Sequence, residues 1–249
     1  MISEFPLFVF TALGSMAAGA YVAVVLFPLG NEKRSWLVKL VCLICLVVGG
    51  IALMFHLGHP ERVLNAFANP TAGITLEAYS SILFGLFLFI DVIVEKVKKH
   101  CVRPIAVIGA IGAVLLALAM GYAYHQYLSN AVWGNWPTIV MFLVTGFAAG
   151  TALPALFECA LYEKGGYKST VIVFQVLAAL VSLVMAVYFG VFGYGADSIV
   201  LAAAACVLFV VACALVAAKK LAAKSLMPIV VFVLVFVALI CLRIAFYNA

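Results

Sequence analysis

Charge is what this chain has least of. Only 9% of its 249 residues are Asp, Glu, Lys or Arg, while 68% are hydrophobic. A soluble domain of this size cannot hide so much apolar surface. That composition excludes a soluble enzyme and points to a protein almost wholly embedded in a membrane. Long polar connections are also missing, so no loop holds a soluble domain. No Lys or Arg precedes the first apolar run, and no small-residue cleavage site follows a short core. That run is therefore expected to stay in the mature protein and not to act as a cleaved signal peptide.

Cysteine is present but poorly placed for disulfides. Of seven, Cys42, Cys45, Cys159, Cys206, Cys213 and Cys241 fall within apolar runs, and Cys101 falls in a basic loop. Cys42-Leu-Ile-Cys45 has CxxC spacing but no second pair nearby, and reads as helix packing. Four thiolates in a loop arrangement are absent, so no iron–sulfur cluster is expected in this chain.

What is there in abundance is long apolar sequence. A hydrocarbon core about 30 Å thick needs roughly 20 apolar residues per helical span. Eight stretches qualify: 6–28, 36–57, 74–94, 104–125, 138–160, 170–192, 198–218 and 227–247. They are too long, and too apolar on every face, for barrel strands. The expected fold is all-α: a polytopic bundle of eight transmembrane helices forming a single integral membrane domain, residues 1–249.

The few basic residues are sorted. Lys33, Arg34, Lys39, Lys96, Lys98, Lys99, Arg103, Lys164, Lys168, Lys219, Lys220 and Lys224 all belong to the odd-numbered loops or their flanks. The other face holds only Arg62 and Arg243. Basic loops stay cytoplasmic, so both termini are expected outside. Membrane anchoring accounts for the basic runs without a nucleic-acid partner.

Phe5-Pro6 opens the first run, which continues to Ala17-Ala18-Gly19-Ala20. Trp136-Pro137 opens the fifth, which continues to Ala148-Ala149-Gly150-Thr151, at a constant offset of 131 residues. This fits two parallel four-helix repeats, 1–131 and 132–249. It fits equally the recurrence of Pro starts and small-residue faces in any bundle.

The chemistry gathers at the outer face. His56-Leu57-Gly58-His59-Pro60-Glu61-Arg62 is followed by Asn65 and then by Glu77. Charged groups near lipid are costly unless paired or hydrated, which makes the cluster a functional candidate. Gly58 and Pro60 end the second helix, and the third returns Glu77 to the same region. A quinol gives up two electrons and two protons as it is oxidised. His and Glu are suitable proton acceptors, and Arg62 can hold a carboxylate or steady a developing oxyanion. His59 reads either as part of this group or as a solvated loop residue. Asp91, Glu95, Glu158 and Glu163 lie near cytoplasmic helix ends, where water and lysines can satisfy them.

Tyr122, Tyr124, His125 and Tyr127 close the fourth span on the same face, with Trp133 and Trp136 beyond. Tyr122, Tyr127 and Trp133 read as an interfacial aromatic belt. His125 and Trp136 are the candidates to complete a quinone pocket.

With these residues in view, the chain resembles the DmsC-type membrane anchor subunit of dimethyl sulfoxide reductase-like molybdoenzymes. Phe5-Pro6-Leu7 with Ala18-Gly19, the segment His56-Leu57-Gly58-x-Pro60-x-Arg62-x-x-Asn65, Glu77 and the Tyr/Trp/Pro stretch before span five carry the resemblance. The His-Leu-Gly-x-Pro-x-Arg segment is its most specific part, and the chain looks shorter than familiar members toward the C-terminus. The resemblance implies a multi-pass protein of the bacterial cytoplasmic membrane that oxidises menaquinol and holds no haem, iron–sulfur cluster or molybdenum itself. It implies an iron–sulfur subunit and a molybdopterin catalytic subunit docked on the outer face. It carries the quinol-binding role to His56, Gly58, Arg62 and Glu77. Two other readings compete. One is a b-type haem carrier ligated by His56 and His125. The other is a secondary transporter using Glu77 and Asp91, although transporter sites favour the midplane.

Overall fold

The protein, seen in a computed structural model, is described here for residues 4–30, 32–56, 64–65, 67–218 and 226–249. Among the described residues, eight helices are long and apolar enough to cross a bilayer. They are α1 (Phe5–Leu26), α2 (Glu32–His56), α3 (Gly73–Lys98), α4 (Arg103–His125), α5 (Trp136–Ala152), α6 (Gly165–Val191), α7 (Ala196–Ala217) and α8 (Met227–Tyr247). Pro at the first or second position opens α1, α4, α5 and α8, where its missing N–H costs nothing.

One boundary departs from expectation. Hydropathy carries the fifth apolar run to residue 160, but α5 stops at Ala152 and gives way to 3₁₀ turns at Pro154–Leu156 and Cys159–Glu163. Pro154 has no N–H to extend the helical ladder, and its ring crowds the preceding turn. The freed carbonyl of Thr151 accepts the hydroxyl of Tyr167 from α6. Cys159 consequently sits in a turn and not within a span.

At the centre, α1 and α5 are the most enclosed helices, and α2 and α7 the least. The two central helices run parallel and meet through the small residues noted in the sequence. A Cβ on Gly19 would stand 2.7 Å from the Phe147 Cα, and one on Gly150 would overlap the Met16 carbonyl and the Ala20 nitrogen. Ala17, Ala18, Ala20, Ala148 and Ala149 are all buried at this seam. Such contact lets backbones approach closely where no hydrophobic effect separates helix from lipid. Gly150→Leu is expected to lower stability by at least about 1–3 kcal/mol, the usual cost of overpacking a tight contact. Gly50→Ala, where an added Cβ meets nothing within 4 Å, should leave the melting temperature in detergent unchanged.

Among the described residues, Arg34, Lys39, Lys96, Arg103 and Lys164 collect at one end of the bundle, and Arg243 stands apart from them. Lys39 on α2 is buried and reaches Asp91 Oδ2 and Glu95 Oε2 on α3, both at 2.6 Å. The Tyr21 hydroxyl donates to the same Asp91 oxygen at 2.7 Å, and Lys39 Nζ lies 3.7 Å from Cys101 Sγ. Asp91 and Glu95 were expected to be satisfied by water and nearby lysines. The lysine is there, but both carboxylates are buried, so Lys39 carries the compensation. Beside this triad, Glu158 accepts from the Gly30 backbone N–H at 2.8 and 3.1 Å, Arg34 donates to the Phe157 carbonyl at 2.7 Å, and Lys164 donates to the Pro28 carbonyl at 3.0 Å. The turn after α1 is thereby clasped to the segment after α5.

Candidate functional site

The opposite end of the bundle holds His56, Glu77, His125 and Trp136. His56 is the last residue of α2, and its Nδ1 lies 3.2 Å from Oε2 of Glu4 at the start of α1. Glu4 escaped the sequence reading because it precedes the first apolar run. Its one clue was its position immediately before the Phe5-Pro6 helix start, at the same face as His56. Gly58, His59 and Arg62 lie outside the described residues.

Glu77 stands one turn into α3, on the face that also carries Gly73, Ser80, Phe84, Leu88, Asp91 and Glu95. The spacing of three and four residues turns all of them into the bundle. Glu77 is only 8% exposed, and its carboxylate makes no ion pair or hydrogen bond among the described residues. It interacts electrostatically with the phenols of Tyr124 on α4 and Tyr247 on α8. Those hydroxyls share a hydrogen bond of 2.7 Å, and Tyr247 continues to Thr11 Oγ1 on α1 at 3.0 Å.

A residue the sequence reading left as a bare charge completes this interior. Arg243 was counted with the outer face, yet it is fully buried in α8. Its guanidinium carbon sits 3.6 Å over the Phe142 ring. Its Nη2 donates to the Phe142 carbonyl at 3.3 Å and lies 3.5 Å from Ser15 Oγ, while Nε and Nη1 have no partner among the described residues. Phe142 in turn stacks on Tyr124 at 5.0 Å. The interior behind Glu77 thus joins four helices, α1, α4, α5 and α8, through hydroxyls, one guanidinium and aromatic faces.

The aromatic stretch divides differently from expectation. Trp133 was read as interfacial, but it turns inward, stacks on Phe246 at 5.4 Å and donates from Nε1 to the Phe246 carbonyl at 3.0 Å. Trp136 points outward, 63% exposed at the start of α5. His125 ends α4 with its ring 6.5 Å from Tyr122, and its buried Nδ1 has no hydrogen-bond partner among the described residues. Among those residues no three His, Cys, Asp or Glu side chains converge to hold a metal ion.

One helical turn from Glu77, which is not among its lining residues, a groove of about 470 Å³ opens along α3 and α4. Leu76, Tyr79, Ser80, Leu83, Leu115, Leu118, Ala119, Tyr122 and Ile139 line it.

Fold and site together define an all-helical, multi-pass membrane protein with a buried acid at one end and a lysine-bridged acid pair at the other. That description fits the outcome of comparison with known sequences. The protein belongs to the DmsC family of DMSO reductase anchor subunits, which matches it over residues 1–249. It is a multi-pass protein of the bacterial inner membrane. It is also similar to the C component of the anaerobic dimethyl sulfoxide reductase of Haemophilus influenzae, with 31% identity over 160 residues. The aligned part spans 60% of this protein and 57% of that relative.

Proposed function

We propose that this anchor subunit oxidises menaquinol at the outer face of the membrane and passes the electrons to an iron–sulfur subunit docked there. A molybdopterin subunit beyond it would reduce the terminal acceptor. The observation that carries the reading is Glu77, a carboxylate buried in a span and free of any ion pair among the described residues. A buried acid without a counter-ion is costly, and its usual reason is proton transfer.

Orientation supports the outer placement. Lys39, Lys96, Arg103 and Lys164 mark the end opposite Glu77, and basic ends stay cytoplasmic. Both termini then face outward. Oxidation of one quinol removes two electrons and two protons. The electrons leave to the iron–sulfur partner. One phenolic proton passes to Glu77 and the other to His56, where the Glu4 carboxylate stands ready to pair with the imidazolium that forms. Gly58 and Arg62 belong to the same site by family resemblance, with Arg62 steadying the developing quinone oxygen. Both protons are released on the side where the electrons depart, so this step moves no net charge across the bilayer.

The test is binding of a fluorescent quinol-site inhibitor to membranes holding the whole complex, in wild type, His56→Ala and Glu77→Gln. Loss of binding in the variants, with the soluble subunits still attached, is the expected result. Unchanged binding and unchanged quinol-driven turnover in both variants would place the quinol elsewhere.

A further inference from the structure

We infer that the α3/α4 groove is the lateral entry and tail-binding channel of the quinol, with the ring at its outer end beside Glu77 and the prenyl chain running toward the midplane. This rests on the functional reading above and extends it to the route and pose of the substrate.

The groove has defined ends. Above it, α3 and α4 touch: a Cβ on Gly73 would stand 2.5 Å from the Ala123 Cα, and Gln126 Oε1 accepts from the Gly73 N–H at 2.8 Å. The Gln126 amide then donates to the Tyr122 hydroxyl at 3.2 Å. Below it the helices touch again, where a Cβ on Gly112 would meet the Phe84 nitrogen at 2.8 Å. Two glycine contacts pinch the pair, one beyond each end of the groove. Residues 73 and 84 are separated along a helix by roughly 16 Å at 1.5 Å per residue. That leaves an elongated slot parallel to the lipid chains.

Its lining is graded in the way an amphiphile requires. Tyr79 and Tyr122 bring hydroxyls to the outer half beside Leu76 and Ile139, and Ser80 lies at mid-length with its hydroxyl donated to the Leu76 carbonyl at 2.7 Å. Leu83, Leu115 and Leu118 line the deeper part with aliphatic surface only. Ser80 belongs both to the groove and to the buried face of α3 that carries Glu77, one turn away. A ring seated at Ser80 and Tyr122 therefore lies beside the acid, while the tail needs no polar partner at Leu83 and Leu118. The size falls within the usual range for ligand clefts, about 300–1,000 Å³.

The experiment compares two donors in membranes containing the whole complex: a naphthoquinol with a long prenyl tail and the same naphthoquinol without a tail. Leu118→Trp, which fills the deep half, is expected to raise KM for the tailed donor about tenfold and to leave the tail-less donor unaffected. Leu83→Phe gives a milder version of the same split. Ile51→Trp, on the lipid-facing side of α2, should change neither. Tail-less turnover doubles as the folding control. Equal KM changes for both donors, no change with either groove variant, or a tail-specific loss at Ile51→Trp would each overturn the channel. An ordinary lipid acyl chain as the occupant would give the no-change result. Full turnover in Glu77→Gln would instead overturn the functional reading, whatever the groove variants do.

Discussion

Exchange of Glu77 for Gln is expected to lower quinol-driven turnover by about 10²–10⁴-fold, the range that a positioned acid or base contributes. The amide matches the carboxylate in shape, so the packing of α3 in the bundle should survive. What it cannot do is accept a proton. Reduction of the soluble subunits by an artificial dye, which bypasses the membrane, should proceed at the wild-type rate. Measuring both rates in the same membranes separates the loss of proton acceptance from the loss of assembly. A variant that fails with the dye as well would point to a structural role for Glu77. Full quinol turnover would remove the acid from the mechanism.

The second large effect lies at the other end. Lys39→Met is expected to destabilise the bundle by about 3–5 kcal/mol, because it strands Asp91 and Glu95 in the interior without their cation. Thermal unfolding in mild detergent, followed by tryptophan fluorescence, reads the loss. The triple variant Lys39→Met, Asp91→Asn, Glu95→Gln should recover most of it, since removing all three charges removes the stranded ones. If Lys39→Met melts like wild type, the triad is not what joins α2 to α3.

The spans were legible because runs of about twenty apolar residues have few alternatives in a chain with so little charge. The end of α5 was not, because hydropathy continues past Pro154 while the backbone does not. The candidate site was legible in parts. Glu77 announced itself as an acid inside a span, and the structure buries it at the expected end. Its surroundings were invisible, since Tyr124, Tyr247 and Thr11 come from helices far apart in sequence and only their packing joins them. The partner of His56 came from the neglected N-terminus. Arg243 left a readable signal, a single basic residue four positions before Tyr247 in an apolar run, against the charge trend of its face. Asp91 and Glu95 also stand four apart, which puts them on one helical face. Lys39 lies three residues before Cys42, within the second apolar run. Those spacings were sufficient to suspect a buried ion pair, and proximity to a loop concealed it.

The parallel seam of α1 and α5 imposes a timetable on biosynthesis. Ribosomes deliver about 5–20 residues per second, so α1 enters the bilayer on the order of ten seconds before α5 is made. Throughout that interval its Gly19 face and the hydroxyls of Thr11 and Ser15 lack the neighbours that cover them in the finished bundle. In that interval the two hydroxyls are satisfied within their own helix, Thr11 donating to the Phe8 carbonyl at 3.3 Å and Ser15 to the Thr11 carbonyl at 2.6 Å, and the glycine face meets lipid until α5 arrives. Helix α8 follows last, and Arg243 then finds Ser15 and Phe142 already assembled to receive it.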